Sequence, residues 1–116
     1  MEFWWYPRCS TCRKAKKYLE EKGVSFETHD LVETPPTKEQ LRSWREMSGL
    51  ELKKFFNTSG VLYREMKLKD RIPDMTEDEM LELLASDGKL VKRPVLVTEK
   101  EVFVGFRTPW PEEALR

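Results

Sequence analysis

The chain has 116 residues, 39% hydrophobic and 36% charged, with 21 Lys and Arg against 21 Asp and Glu and a formal net charge of zero. That length suits one domain whose single core buries about two-thirds of the unfolded surface, and the balanced charge gives no bulk electrostatic ground for binding nucleic acid or an acidic membrane. No apolar run approaches the roughly 20 residues needed to cross a bilayer, and no basic region followed by a signal-length apolar stretch opens the chain, so the expected compartment is the reducing cytosol.

Phe3-Trp4-Trp5-Tyr6 predicts a strand buried on both faces, because it lacks polar alternation. Residues 11–22 follow as a helix with Ala15, Tyr18 and Leu19 on one side and Gly23 as its stop. Val24 to His29 alternates as a second strand, which completes a βαβ unit. Trp4 and Trp5 are expected in the core or on a sheet face, and His29 as a solvated or capping side chain at the strand end.

Thr34-Pro35-Pro36-Thr37 marks a turn, with Thr37 capping a helix from Lys38 to Met47 whose apolar stripe is Leu41, Trp44 and Met47. Helical patterns continue through Leu50 to Phe56 and Thr58 to Leu68, and Asp70 to Pro73 breaks the run. Thr76-Glu77-Asp78-Glu79 then opens another helix as a capping box, ending near Ser86-Asp87-Gly88. Val95-Leu96-Val97 and Val102-Phe103-Val104 read as a hairpin around Glu99-Lys100, and Pro109 to Leu115 as a final helical turn or two.

Between the first strand and the first helix stands Cys9-Ser10-Thr11-Cys12. A thiol at a helix start faces unpaired N–H groups and the positive end of the macrodipole, which favour its thiolate. Lowering a thiol pKa from about 8.5 by two units takes roughly 2.7 kcal/mol, whereas a helix terminus supplies at most about 2. The remainder must come from cations and donors, and Arg8, Arg13, Ser10 and Thr11 are adjacent. Cys12, one turn on, can reach back to Cys9. A structural disulfide over so short a loop restrains the unfolded chain by only about 2 kcal/mol. Zinc needs about four ligands, and only His29 adds to the two cysteines as a His or Cys, so no metal is expected.

Tyr6-Pro7-Arg8-Cys9-Ser10-Thr11-Cys12-Arg13-Lys14, Thr34-Pro35-Pro36, Phe56-Asn57-Thr58, Arg93-Pro94-Val95-Leu96-Val97 and Val104-Gly105-Phe106-Arg107 together resemble the landmarks of the glutaredoxin-coupled arsenate reductase family and its Spx-like relatives. The resemblance implies an α/β, thioredoxin-like (glutaredoxin-like) fold, with a mixed four-stranded sheet and a helical insertion between the second and third strands. On that mapping residues 1–33 and 89–116 form the core and 34–88 the insertion of one domain. It also implies a cis-proline at Pro94 facing the nucleophile.

By the same resemblance Cys9 matches the nucleophile that attacks arsenate, Arg93 the arginine before the proline, and Arg107 the last of three oxyanion-neutralising arginines. The expected anion site is therefore Arg8, Ser10, Thr11, Arg93, Pro94 and Arg107. Phe55-Phe56-Asn57 stands where those enzymes carry Leu-Leu-Arg, so one positive charge is missing. A charge-assisted bond to an oxyanion is worth about 1.5 to 3 kcal/mol, and its loss weakens arsenate binding by about one to two orders of magnitude.

Cys12 departs from the same enzymes, which carry no cysteine there and use glutathione and glutaredoxin to resolve the intermediate. It matches the Spx-like regulators, which use such a pair as a redox switch and bind the C-terminal domain of the RNA polymerase α subunit through a surface containing a glycine, here Gly49. Two readings follow. One is a thiol oxidoreductase with no bound cofactor, Cys9 as nucleophile, Cys12 as resolving thiol, a small oxyanion or thiol as substrate, and glutathione with glutaredoxin or thioredoxin as external reductant. The other is an Spx-like redox-sensing regulator.

Overall fold

A computed structural model describes residues 1–115. Its centre is a mixed four-stranded sheet of order β2-β1-β3-β4, built from β1 (Glu2–Trp5), β2 (Glu27–Asp30), β3 (Val95–Val97) and β4 (Val102–Val104). β1 pairs parallel with β2 and antiparallel with β3, and β3 forms the expected hairpin with β4. The central position of β1 explains its unalternated apolar run. Phe3 packs on one face with Ala15, Leu19, Leu96 and Trp110, and Trp4 on the other with Leu31, Leu41, Trp44 and Phe55. Trp5 is half-buried under the ammonium of Lys16.

α1 (Ser10–Glu21) buries Cys12, Ala15 and Leu19, and Gly23 takes the left-handed conformation just past its end. β2 is shorter than its alternation predicts. It pairs only with β1, and the amide of Glu27 already bonds the carbonyl of Met1, so Val24 and Ser25 have no ladder partner. Val24 and Phe26 instead pack against the Phe3 cluster. His29 differs from expectation too: its ring stacks on Trp4 at 4.5 Å, with Nε2 3.6 Å from the Glu27 carboxylate.

α2 (Lys38–Ser48) and α5 (Glu77–Ser86) both begin with full capping boxes, Thr37 with Gln40 and Thr76 with Glu79. The stretch between them is more broken than its periodicity predicts. Leu52–Phe55 is a single 3-10 turn, and 58–68 is split into α3 (Val61–Glu65) and the start of α4 (Leu68–Arg71). The split falls at Lys67, whose φ of 53° no continuous helix accepts. Asp70 to Pro73 breaks nothing, because α4 runs to Arg71 and passes into a 3-10 turn, Ile72–Asp74, where Pro73 sits in the first turn and needs no N–H. The final helical turn is also 3-10, Glu112–Leu115.

Two backbone approaches fasten this helical block to the sheet. Phe56 and Val91 form an antiparallel bridge, flanked by Asn57 N–H to Leu90 C=O and Lys92 N–H to Phe55 C=O, both 2.7 Å. At the return point Gly88 lies so close to the end of β2 that a Cβ there would fall 1.6 Å from the carbonyl oxygen of Leu31. Backbone on both sides leaves no flexible atom to yield. Gly88→Ala is expected to lower stability by about 3 kcal/mol or more, against about 1 kcal/mol for Gly49→Ala, a left-handed residue in open space. Urea unfolding of both variants checks the order, and equal losses would contradict this account.

Candidate active site

The turn from β1 into α1 is closed by Cys9 N–H to Tyr6 C=O at 2.9 Å and braced by the Arg13 guanidinium, which donates to Pro7 C=O at 2.9 Å. Cys9 occupies the N-cap in extended conformation, so its Sγ does what a Ser or Asp oxygen does elsewhere. It accepts the Cys12 N–H at 3.4 Å. The amides of Ser10 and Thr11, exposed residues in the same first turn, have no acceptor among the described residues. The turn thus presents one sulfur and two spare donors.

The two thiols are pushed in opposite directions. Burial alone would raise Cys9, but the Cys12 backbone N–H, the Cys12 thiol and the guanidinium of Arg93 outweigh it and hold Cys9 below the ordinary thiol value. Cys12 has no exposed surface. Burial, followed by hydrogen bonding and repulsion from Cys9, pushes it up to about 12. Cys9 is therefore the more acidic of the two thiols, and Cys12 the partner that holds its proton.

Arg93 reaches this point from the segment that leads into β3, the strand beside β1. The β1–β3 ladder ends with Trp4 opposite Val95, and the same register continued two residues beyond it brings Tyr6 level with Arg93. The guanidinium sits 5.0 Å from the centroid of the Tyr6 ring, with Nη1 sealed from solvent and no hydrogen-bond partner. Pro94 follows in the cis form, buried, its carbonyl accepting the Gly105 N–H at 2.7 Å. The structure thus gathers Cys9, Cys12 and Arg93, with Ser10 and Thr11 contributing backbone and cis-Pro94 next in the chain to Arg93. Arg8 in the turn and Arg107 beyond β4 are exposed and have no hydrogen-bond or ion-pair partner among the described residues.

Tyr6 is the member that sequence reasoning missed as a site residue. Its position directly before the cysteine motif is visible, but its role as the ring under Arg93 depends on strand register. Asn57 is tied to the segment leading to Arg93, through its amide to Leu90 C=O and through Nδ2 to Lys89 C=O at 3.4 Å. Among the described residues no cluster of three or more His, Cys, Asp or Glu could hold a metal ion, and no helix is long and apolar enough to cross a membrane.

Arg93→Ala is expected to raise the Cys9 pKa, because it removes a hydrogen bond and a positive charge that favour the anion, and Arg107→Ala to leave it nearly unmoved. Iodoacetamide rates against pH give both values, and the reverse ranking would refute the assignment. Cys12 adds a stability effect. Its folded pKa lies above the unfolded one, so the unfolded state ionises first between about pH 9 and 12 and stability falls as pH rises through that window, by up to about 1.4 kcal/mol per unit. Cys12→Ala should flatten that alkaline slope in urea titrations. The contribution of Cys9 has the opposite sense: it is present above the unfolded thiol pKa and lost as pH falls through the lowered folded value.

The sequence profile of the ArsC family matches residues 4–114. An uncharacterised Bacillus subtilis protein, YusI, is 55% identical over 113 residues, covering 97% of this chain and 96% of its own. A Bacteroides fragilis protein described as ArsC family related superimposes with a TM-score of 0.90 at 54% identity, over 97% of this chain and 92% of that one. Regulatory protein MgsR of Bacillus subtilis is 31% identical over all of this chain and 88% of its own length. With a profile spanning nearly every residue, and the sheet and cysteine turn described above, the chain belongs to the ArsC family.

Proposed function

We propose that the chain is a thiol-dependent oxidoreductase of the arsenate reductase type, with Cys9 as nucleophile and Cys12 as resolving thiol. The observation that carries this reading is the opposite displacement of two thiols one helical turn apart, the outer one lowered beside Arg93 and the buried one raised.

On a disulfide substrate the Cys9 thiolate attacks one sulfur, forms a mixed disulfide and expels the other half as a thiolate, which takes up a proton from water. Cys12 then attacks the Sγ of Cys9. Its pKa falls at that stage, because the part of the elevation that comes from the Cys9 hydrogen bond and charge is consumed in the first step, while burial remains. The second substrate half leaves as a thiol carrying the Cys12 proton. Two electrons have passed to the substrate, and a Cys9–Cys12 disulfide remains for glutathione with glutaredoxin, or for thioredoxin, to reduce. With an oxyanion, Arg93 and the free Ser10 and Thr11 amides supply the positive potential.

The second reading is a redox-sensing regulator that binds the C-terminal domain of the RNA polymerase α subunit; the regulatory part is favoured by the similarity of the whole of this chain to Regulatory protein MgsR, and the polymerase contact rests on the Spx-like resemblance. The two separate cleanly. The oxidoreductase turns over NADPH through a thioredoxin or glutaredoxin system with a disulfide or arsenate as acceptor. The regulator forms a stable complex with the α C-terminal domain that changes with the state of Cys9 and Cys12.

Cys12→Ser is expected to accumulate a mixed disulfide or sulfenic acid on Cys9, readable by mass spectrometry, and to lose multiple turnover. Asn57→Arg should strengthen arsenate binding by about tenfold or more. Cross-linking of wild-type chains between molecules rather than within one would count against Cys12 as the resolving thiol.

A further inference from the structure

The chain carries no net charge, yet one groove on the helical block is lined by charge of a single sign. It measures about 330 Å³ and is edged by Lys53, Lys54, Lys69 and Lys92, with no carboxylate in its lining. Lys53 is paired with Glu51 at 3.2 Å, an exposed contact of little strength. Lys54, Lys69 and Lys92 have no acidic partner among the described residues. The floor is apolar: Phe56 and Tyr63, their rings 6.4 Å apart, and Ile72. Lys92 immediately precedes Arg93, so one wall continues into the segment that faces Cys9.

Four ammonium groups around an apolar floor need an occupant with both characters. A single phosphate is held by donors that converge, most often a guanidinium fork or adjacent backbone amides. Here the charges are spread over three separate elements, the 3-10 turn Leu52–Phe55, α4 and the approach to β3, and no arginine lines the groove. Nucleic acid binding draws on many phosphate contacts and a basic face, whereas these four lysines sit on a chain with as many acids as bases. Spaced carboxylates on an extended peptide match spaced lysines, and the floor takes one large side chain between them.

We propose that this groove docks an acidic peptide segment of a partner protein, which lays an aromatic or aliphatic side chain on Phe56, Tyr63 and Ile72 while its carboxylates meet Lys53, Lys54, Lys69 and Lys92. The proposal is independent of the thiol chemistry, since none of these residues belongs to the cysteine site.

The test is fluorescence polarisation with an end-blocked, labelled hexapeptide of glutamates around one phenylalanine, titrated with the full chain. Saturable binding is expected, weakening as salt rises. Combined Lys54→Glu and Lys69→Glu, at exposed positions where the fold is not at risk, should reduce affinity about tenfold and should make the chain prefer a peptide with lysines in place of the glutamates. Replacing the phenylalanine by alanine should weaken binding several-fold. The proposal is overturned if the peptide does not saturate, if the double variant binds it equally well, if the alanine peptide binds as tightly, or if inorganic phosphate or a single-stranded oligonucleotide displaces the peptide at lower concentration than unlabelled peptide does.

Discussion

The antiparallel ladder between β1 and β3 holds the cysteine end of the molecule together. Glu2 pairs with Val97, Phe3 with Leu96 and Trp4 with Val95, and because side chains alternate along a strand, a slip of one residue would turn every one of them to the wrong face. Phe3 and Trp4 fix the register by packing into different cores, on opposite sides of the sheet. Only in that register does the segment Arg93-Pro94 arrive opposite Tyr6, with the guanidinium over the ring and close enough to Cys9 to favour its anion. The chemistry at Cys9 is thus set partly by packing at Phe3, several residues away and wholly buried.

The division of labour between the two cysteines follows from one turn of helix. Cys9 stands outside the helix proper, at the cap, where sulfur replaces oxygen as acceptor of an end amide. Cys12 stands inside, on the face that also buries Ala15 and Leu19. A helix that must present an inward face every three to four residues therefore places the second thiol in the core automatically. Position on the helix alone separates an outer sulfur from a buried one, and Arg93 widens the difference between them.

Much of this was legible in the sequence. The strand–turn–helix placement of the cysteines, both threonine caps, the Val95–Val104 hairpin and a bend at Gly23 rest on local chemistry, and local chemistry is what a sequence displays. What escaped it depends on partners distant in the chain. β2 is cut short because its only neighbour begins at Glu2, and the pattern of 58–68 gives no sign of the left-handed Lys67. Tyr6 becomes a site residue only through its cross-strand neighbour. Arg107 is assigned to the anion site by its motif alone; in the structure it is exposed beyond β4, with no hydrogen-bond or ion-pair partner among the described residues.

The outer strands have a consequence for colloidal behaviour. β2 has only four residues and carries Glu27, His29 and Asp30, and the Asp30 carboxylate accepts the amides of Val32 and Glu33, bending the chain away. β4 has three residues, held between the Thr98–Glu101 turn and Gly105 at a φ of 84°. Neither margin is long or flat enough to template the addition of another strand. Sheet-to-sheet polymerisation is therefore discouraged by brevity, charge and bends, and the exposed ladder groups of this small sheet stay solvated rather than seeding amyloid-like growth.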